Sequence, residues 1–186
     1  MGFTSPLGGL SQSPGDFDVL LAAAKTGRLA TRIRAYSFYT VGADAWDSAG
    51  ISQGDGDSLI RVTGYKLVAD GSNQGFTGLQ REPYLNSDDR GLAYTSAEEL
   101  KKTAIERAGK GWHLAIHGNG DAAIDNVLDA CAAIRGADSL ANPGIIGVAS
   151  FFYPAETKSV QKDSPAAMDV GLNRVGPVKL SLRRPE

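Results

Sequence analysis

Both histidines of the chain lie in one short stretch, W-H-L-A-I-H-G-N-G-D-A-A, which runs from Trp112 to Ala123. On a helix, the i, i+4 spacing of His113 and His117 would place both imidazoles on one face, as a shared metal ion requires. The apolar run instead favours a strand, on which the two side chains stand about 13 Å apart at roughly 3.3 Å per residue. The two histidines are therefore not expected to share a metal ion.

The same stretch contains a G-x-G-x-x-A pattern, Gly118 to Ala123, between a predicted strand and a predicted helix. A dinucleotide-binding loop has this arrangement, and its helix N-terminus receives a pyrophosphate. Asp121 would repel the phosphates there, and no acid ends the next strand because Asp138 precedes Ile145. Asp121 is instead expected to cap the helix, and a Rossmann-type nucleotide binder is kept as a minor alternative.

His117 lies at the carboxyl end of its predicted strand, where open α/β sheets and (β/α)8 barrels place their sites. The alternative is a hydrogen-bonded histidine at the strand end with no chemical role. For His113, next to Trp112, a place in the core is favoured.

Lys66 is the unusual residue of its predicted strand, Arg61 to Asp70, where Val62, Gly64 and Val68 are expected to share its face. An isolated ammonium loses several kcal/mol of solvation when it is buried, so this lysine should be neutral, paired or chemically modified. A solvated lysine on an edge strand is the alternative.

Composition limits the class of protein. The chain has 186 residues, 42% hydrophobic and 22% charged, as expected for one globular domain. A net charge of -2 gives no electrostatic reason to expect nucleic acid or an anionic membrane surface as partner. No apolar run reaches the roughly 18 residues of a membrane span, the start does not resemble a signal peptide, and Cys131 has no disulfide partner. We expect a cytoplasmic protein with neither nucleic acid nor membrane as partner.

The elements that position these residues alternate between helix and strand, which predicts an α/β fold with a parallel sheet. Their predicted limits are a helix over Ser13–Gly27, a strand over Thr31–Thr40, a loop over the next twenty residues, the Lys66 strand, a loop to about Tyr94, a helix capped by Ser96, the histidine strand, a helix from Asp121, and a strand over Ile145–Phe152. Residues 154–186 are predicted to form a poorly ordered tail.

Several motifs in a fixed order resemble the YtcJ-like branch of the amidohydrolase superfamily. They are K-L-V-A-D-G-S from Lys66, R-E-P-Y from Arg81, R-G-L before the capped helix, and G-W-H-L-A-I-H-G-N-G-D-A-A-I-D from Gly111. The likeness runs from Gly2 to Ile134, and the opening G-F-T-S resembles the second barrel strand. The resemblance implies that residues 1–153 form a partial (β/α)8 TIM-barrel-like sheet with flanking helices, roughly strands 2 to 5 or 6, truncated from a barrel of about 250 residues.

The resemblance also implies one or two divalent metal ions, with zinc preferred, and hydrolysis of non-peptide C–N bonds by a metal-activated water. By this likeness Lys66 is the metal-binding lysine that is often carboxylated, and His117 is the ligand from strand 5. Asp70 and Arg81 are the candidates for binding a small amide-type substrate, and no catalytic residue is assigned. The alternatives are a turn at D-G-S and a surface ion pair between Arg81 and Glu82.

Most of the family's ligands have no counterpart in this chain. The H-x-H pair of strand 1 and the histidine of strand 6 are missing, and two protein ligands hold a metal loosely because catalytic sites normally use three or more. We therefore expect reduced or no activity. An unclosed sheet also exposes strand edges, which favours self-association. A non-catalytic α/β fragment that oligomerises or binds a partner is the second hypothesis.

Overall fold

A computed structural model describes residues 7–11, 13–29, 31–136, 146–150 and 171–172, and the side chains of residues 13–29 and 31–134. Its strands form one parallel sheet in which spatial order follows chain order. They are β1 (Leu7–Ser11), β2 (Ile33–Phe38), β3 (Ile60–Val68), β4 (Leu114–His117), β5 (Ile146–Ser150) and β6 (Gly171–Leu172). Parallel neighbours in sequential order build the wall of a (β/α)8 barrel, so the predicted partial barrel-like α/β sheet is confirmed.

Two of the α-helices begin at serine side-chain caps. In the described residues the α-helices are α1 (Pro14–Lys25), α2 (Ala43–Ser48), α3 (Ala97–Gly109) and α4 (Asp121–Gly136). Ser13 and Asp16 form a reciprocal capping box at α1, and the Ser96 hydroxyl accepts the Glu99 N–H at α3. No helix in these parts of the chain has the length and hydropathy to cross a membrane.

The prediction of a loop after β2 is wrong in part, because α2 lies within it. The helix is short, but its Trp46 side chain is fully buried and donates its indole N–H to the Phe38 carbonyl oxygen at 3.0 Å. Burial of one large aromatic side chain thus stabilises a segment whose Gly, Asp and Ser content predicts a loop.

Two predicted segments fall mostly outside the described residues. The G-F-T-S motif lies before β1, and most of the predicted tail over residues 154–186 also lies outside. Within that tail, Gly171 and Leu172 form β6 and pair with β5.

An irregularity in β3 determines which side chains accompany Lys66. The pairing of β2 with β3 slips by one residue at Thr63, and one extra residue reverses the alternation of side chains between the two faces. Val62 is therefore buried in the helix-covered core, and the prediction that it shares the face of Lys66 is wrong. Gly64 and Val68 do share that face, because they follow the slip.

The two faces of the sheet differ in burial. One face packs against the helices in a core formed by strand and helix side chains, which include Ile60, Val62, Tyr65, Leu67, Leu114, Ile116, Leu100, Ala104, Val127 and Cys131. Burial raises the pKa of the Cys131 thiol to about 12, so this residue behaves as a small apolar side chain. The opposite face, here called the second face, carries half-buried side chains, which are Tyr36, Phe38, Lys66, Val68, Ala115 and His117.

A buried cation joins α2 to α3 on the helix side. The Arg107 guanidinium is fully buried and donates to both carboxylate oxygens of Asp47, at 2.8 and 2.7 Å, and to Glu106 at 2.7 Å. Its Cζ atom lies 5.4 Å from the centre of the Tyr65 ring. Hydrogen bonds from Arg107 and then from Lys110 hold the pKa of Asp47 well below its ordinary value.

We expect Asp47→Asn to lower the free energy of unfolding by about 1–2 kcal/mol at neutral pH, because it removes a charged partner from a buried guanidinium. The effect is moderate because the carboxylate is 34% exposed and solvent screens part of the attraction. The folded-state pKa of Asp47 is lowered, so its contribution is complete above about pH 5 and is lost as the pH falls. The difference between wild type and variant should shrink below about pH 4. Urea denaturation across this pH range measures it.

The matched control is Asp129→Asn, which changes an exposed acid on α4 and should alter stability by less than about 0.5 kcal/mol. A wild-type to Asp47→Asn difference that stays constant from neutral to acidic pH would contradict the ion-pair explanation.

Candidate functional site

Lys66 and His117 lie on the second face of adjacent strands, near their carboxyl ends. Lys66 pairs in register with Ala115, and Val68 pairs with His117. At about 4.8 Å between strands and 3.3 Å per residue, the backbones of Lys66 and His117 are roughly 8 Å apart. The two predicted ligands therefore share a face and a rim of the sheet, and their roles as metal ligands stay predictions.

Lys66 lies next to an aromatic residue of the adjacent strand. Phe38 pairs with it on β2, and a Cβ atom added at Gly64 would lie 2.8 Å from the Tyr36 ring. Among the described residues, no side chain forms a hydrogen bond or ion pair with the Lys66 amine. Burial lowers the pKa of Lys66 below its ordinary value, so the neutral amine is easier to reach than at a solvated surface.

The His117 ring contacts the loop that follows β3. Its Nε2 atom lies 3.0 Å from the Gly71 carbonyl oxygen and 3.9 Å from the Asp70 Oδ1 atom. Within the described part of the chain, the Nδ1 atom has no hydrogen-bond partner. Nε2 is thus engaged by the loop, which makes Nδ1 the candidate atom for a ligand.

Asp70 is fully buried, and its carboxylate accepts three backbone N–H groups. Oδ2 accepts from Leu79 at 2.8 Å and from Gly120 at 2.7 Å, while Oδ1 accepts from Asn119 at 2.8 Å. These contacts tie the loop after β3 to the junction of β4 and α4. The predicted substrate-binding role of Asp70 stays a prediction, and its oxygens are already engaged.

Arg81 pairs with α4 rather than with its neighbour Glu82. Its guanidinium donates to both carboxylate oxygens of Asp125, at 2.6 and 2.5 Å, and its backbone N–H donates to Asp121 at 2.7 Å. The predicted Arg81–Glu82 surface pair is therefore replaced by an Arg81–Asp125 pair. The substrate-binding role of Arg81, whose side chain is 46% exposed, is untested.

The prediction that Asp121 caps α4 is wrong, because Asp121 is the first residue of that helix and its carboxylate accepts from the Arg81 backbone. The start of α4 is covered by the loop after β3. The Leu79 carbonyl oxygen accepts the Ala123 N–H at 3.3 Å, and a Cβ atom added at Gly120 would lie 1.8 Å from that same oxygen. A pyrophosphate would have to occupy the space already filled by this loop and by the Asp70 carboxylate.

Asn119 is the residue at this rim that sequence reasoning missed. It is buried, and its Nδ2 atom lies 2.6 Å from the Gly71 carbonyl oxygen and 3.0 Å from the His117 Nε2 atom. Its signal in the sequence is a polar residue between two glycines, two positions after a histidine that ends a strand. In α/β folds, loop residues at the carboxyl ends of parallel strands often contact ligands or the side chains that bind them.

The metal-binding potential of this rim is incomplete. Within the described ranges, no cluster of three or more His, Cys, Asp or Glu side chains could hold a metal ion. Lys66 and His117 would fill two positions of a ligand set that normally contains at least three protein groups.

Comparison with known proteins identifies the family. The model of the amidohydrolase family matches residues 2–170, so the chain belongs to that family. No curated protein matches the chain.

Two crystal structures of uncharacterized metal-dependent hydrolases are similar to this fold. The one from Pyrococcus furiosus is 26% identical with a TM-score of 0.62, and the match covers 76% of this chain and 28% of that one. The one from Pyrococcus horikoshii OT3 is 27% identical with a TM-score of 0.62, and the match covers 80% of this chain and 29% of that one. The chain thus spans less than a third of the length of either hydrolase.

Gly120→Ala should destabilise the fold by about 1–3 kcal/mol, because the added methyl group collides with the rigid backbone of Leu79 and overpacks the junction. The change in the urea midpoint measures the effect. Gly109→Ala on α3 is the opposite-signed control. A Cβ atom there meets nothing within 4 Å, so stability should rise by about 0.4–1 kcal/mol. An unchanged midpoint in Gly120→Ala would argue against close packing of the loop on α4.

Proposed function

We propose that this chain is a metal-dependent amidohydrolase that acts on amide-type C–N bonds, with activity reduced or lost in its present form. The observation that carries the proposal is the pair of Lys66 and His117 on the second face of adjacent strands. Membership of the family and the likeness to two metal-dependent hydrolases support it. The proposal of reduced activity is supported by the described residues, among which no group of three or more His, Cys, Asp or Glu side chains could hold a metal ion.

The donor chemistry fits part of a divalent metal site, for which zinc is the proposed ion. His117 offers the unpartnered Nδ1 atom, and Lys66 offers an amine without an ionic partner among the described residues. When bound, such an ion supplies a Lewis acid for the substrate carbonyl and lowers the pKa of water toward about 7. Lys66 is half-buried, and reduced contact with bulk water strengthens electrostatic interactions at such a position.

Lys66 is proposed to become a carbamate in the metal-loaded protein. The neutral amine attacks carbon dioxide, a new N–C bond forms, and the released proton passes to solvent. The product replaces a cation that repels metal with anionic oxygen donors. Burial supports the first step because it lowers the pKa of the amine.

Asp70 and Arg81 are likewise proposed as candidates for binding the substrate. Of the two candidates, Arg81 is favoured over Asp70. Its guanidinium pairs with Asp125 but its side chain is 46% exposed, whereas the Asp70 carboxylate is fully buried and accepts three N–H groups. The cytoplasmic location is also a proposal, and the buried free thiol of Cys131 supports a reducing compartment.

The metal proposal predicts that purified protein binds a divalent cation, and that Lys66→Ala and His117→Ala each weaken binding at least tenfold. Zinc titration followed by calorimetry measures the affinity, and metal analysis after gel filtration measures the stoichiometry. The matched controls are Lys102→Ala on α3 and His113→Gln, which should bind as the wild type does. Binding that is equal in all five proteins would contradict the assignment of both ligands.

The carbamate proposal predicts a ¹³C carbamate resonance after incubation with ¹³C-bicarbonate and zinc. Lys66→Gln should abolish the resonance because it removes the amine, whereas Lys101→Gln should leave it intact. A resonance that persists in Lys66→Gln would assign the modification to another lysine.

The second candidate function is association with another chain, and the loop between β3 and α3 favours it. Phe76, Leu85, Leu92 and Tyr94 in that loop are 51–90% exposed. Four large exposed apolar side chains within one loop support an interaction surface there. Sedimentation velocity over a range of protein concentrations tests this candidate. Self-association requires an oligomer of defined size in the metal-free protein. A monomer at every concentration would exclude it.

A further inference from the structure

Three polar atoms form a close triangle beside His117. The Gly71 carbonyl oxygen lies 2.6 Å from the Asn119 Nδ2 atom and 3.0 Å from the His117 Nε2 atom, and the two nitrogens are 3.0 Å apart. The Gly71 carbonyl oxygen can only accept a hydrogen bond, and the Asn119 Nδ2 atom can only donate one. The protonation of Nε2 decides which two of its three sides are hydrogen bonds.

The orientation of the Asn119 amide is set by the shortest side of the triangle. A flipped amide would place Oδ1 at 2.6 Å from the Gly71 oxygen, and two acceptors without a proton repel each other. Asn119 therefore donates from Nδ2 to Gly71. Its Oδ1 atom is buried and has no partner among the described residues, so the side chain is held through Nδ2 alone.

The angles of the triangle favour one position for the His117 proton. The three distances give an angle of roughly 64° at Asn119 Nδ2, whereas the two hydrogens of a planar amide nitrogen are about 120° apart and donors tolerate little bending. Nδ2 cannot align well with both Gly71 and His117. A carbonyl oxygen accepts over a broad range of directions, so Gly71 accommodates two donors. This geometry favours a His117 proton on Nε2 that is donated to the Gly71 carbonyl oxygen.

We propose that Asn119 is a positioning residue for His117: it anchors the Gly71 carbonyl oxygen, which in turn holds the imidazole in one orientation with its proton on Nε2. Metal-binding histidines commonly donate their second nitrogen to a carbonyl or carboxylate in this way. The catalytic value of this arrangement rests on the function proposed above, but the arrangement itself is a property of the metal-free protein.

Asp70 supports the proposal independently of the histidine. It precedes Gly71 in the chain and accepts the backbone N–H of Asn119 at 2.8 Å, so one carboxylate fixes the backbone on both sides of the triangle. The Asn119 backbone bond does not depend on its side chain. Replacement of the side chain alone should therefore loosen Gly71 without releasing the loop.

The test uses ¹⁵N-histidine-labelled protein without added metal, at mildly alkaline pH. The chain has two histidines, so His117→Gln assigns the spectrum. The expected result is a His117 Nε2–H proton that is protected from exchange with water and coupled directly to Nε2. A proton on Nδ1 in the wild type would overturn the proposal.

Asn119→Ala is expected to abolish the protected Nε2–H signal, while Asn126→Ala on α4 should retain it. Asn119→Ser removes the same amide more mildly and serves if the alanine variant does not fold. Unfolding midpoints and amide spectra identify the folded variants. A protected Nε2–H signal that survives in a folded Asn119 variant would falsify the positioning role.

Zinc titration of the same samples separates this inference from the proposed function. Loss of the second partner of a metal-binding histidine typically weakens metal affinity 10–100-fold, and Asn119→Ala should fall in that range. A protected Nε2–H in wild-type protein that does not respond to zinc would sink the metal proposal and leave the positioning role standing. Zinc affinity that is unchanged in Asn119→Ala would overturn the contribution of Asn119 to metal binding and leave the assignment of Lys66 and His117 standing.

Discussion

The Asp70 carboxylate is fully buried between two loops at the rim of the sheet, and the geometry of that rim depends on it. An ionised carboxylate in such a place costs several kcal/mol unless hydrogen-bond donors replace the lost water. Three backbone N–H groups do so, from Leu79, Asn119 and Gly120. Because these donors belong to segments far apart in sequence, the same charge that needs them also holds the loop after β3 against the start of α4. The position of Gly71, and through it the orientation of His117, follows from this constraint.

A slip in strand pairing at Thr63 decides which side chains of β3 lie on each face of the sheet. The slip at Thr63 places Val62 with the helix-packed core and leaves Lys66 on the second face. Without the extra residue, the strand could bury its apolar side chains before or after the slip, but not both, on the side of the helices. The stability of the fold therefore comes mainly from the face that packs against the helices. The candidate ligands Lys66 and His117 lie on the second face and are half-buried. Replacing them should therefore not collapse the core.

The sequence predicts those parts of the fold that depend on local chemistry. Helix starts at Ser13 and Ser96 were predictable because a cap is one side chain and one N–H three residues on. Strand order followed from alternation of strands with helices. In contrast, α2 was missed because its stability comes from the buried contact of Trp46, and the face of Val62 was wrong because a bulge leaves no reliable mark in the sequence. The role of Asn119 also depends on a distant partner, Gly71, which only the folded chain brings near.

The glycine pattern after His117 illustrates why one sequence motif can serve two structural purposes. In a dinucleotide-binding loop, small residues let a phosphate approach the first turn of the helix. Here Gly120 and Ala123 admit the backbone of Leu79 instead, whose carbonyl oxygen accepts the Ala123 N–H, while the Asp70 carboxylate takes the Gly120 N–H. Both the phosphate and this pair of oxygens satisfy the unpaired N–H groups and positive end of a helix dipole. The pattern therefore indicates a helix start that needs anionic or carbonyl oxygens close by. If a ligand supplies those oxygens the helix start is a binding site, and if the chain supplies them it is an internal joint, that is, a packing contact between two segments of the chain. In this chain the oxygens are its own, which makes the joint the better explanation and leaves the second face as the place for chemistry.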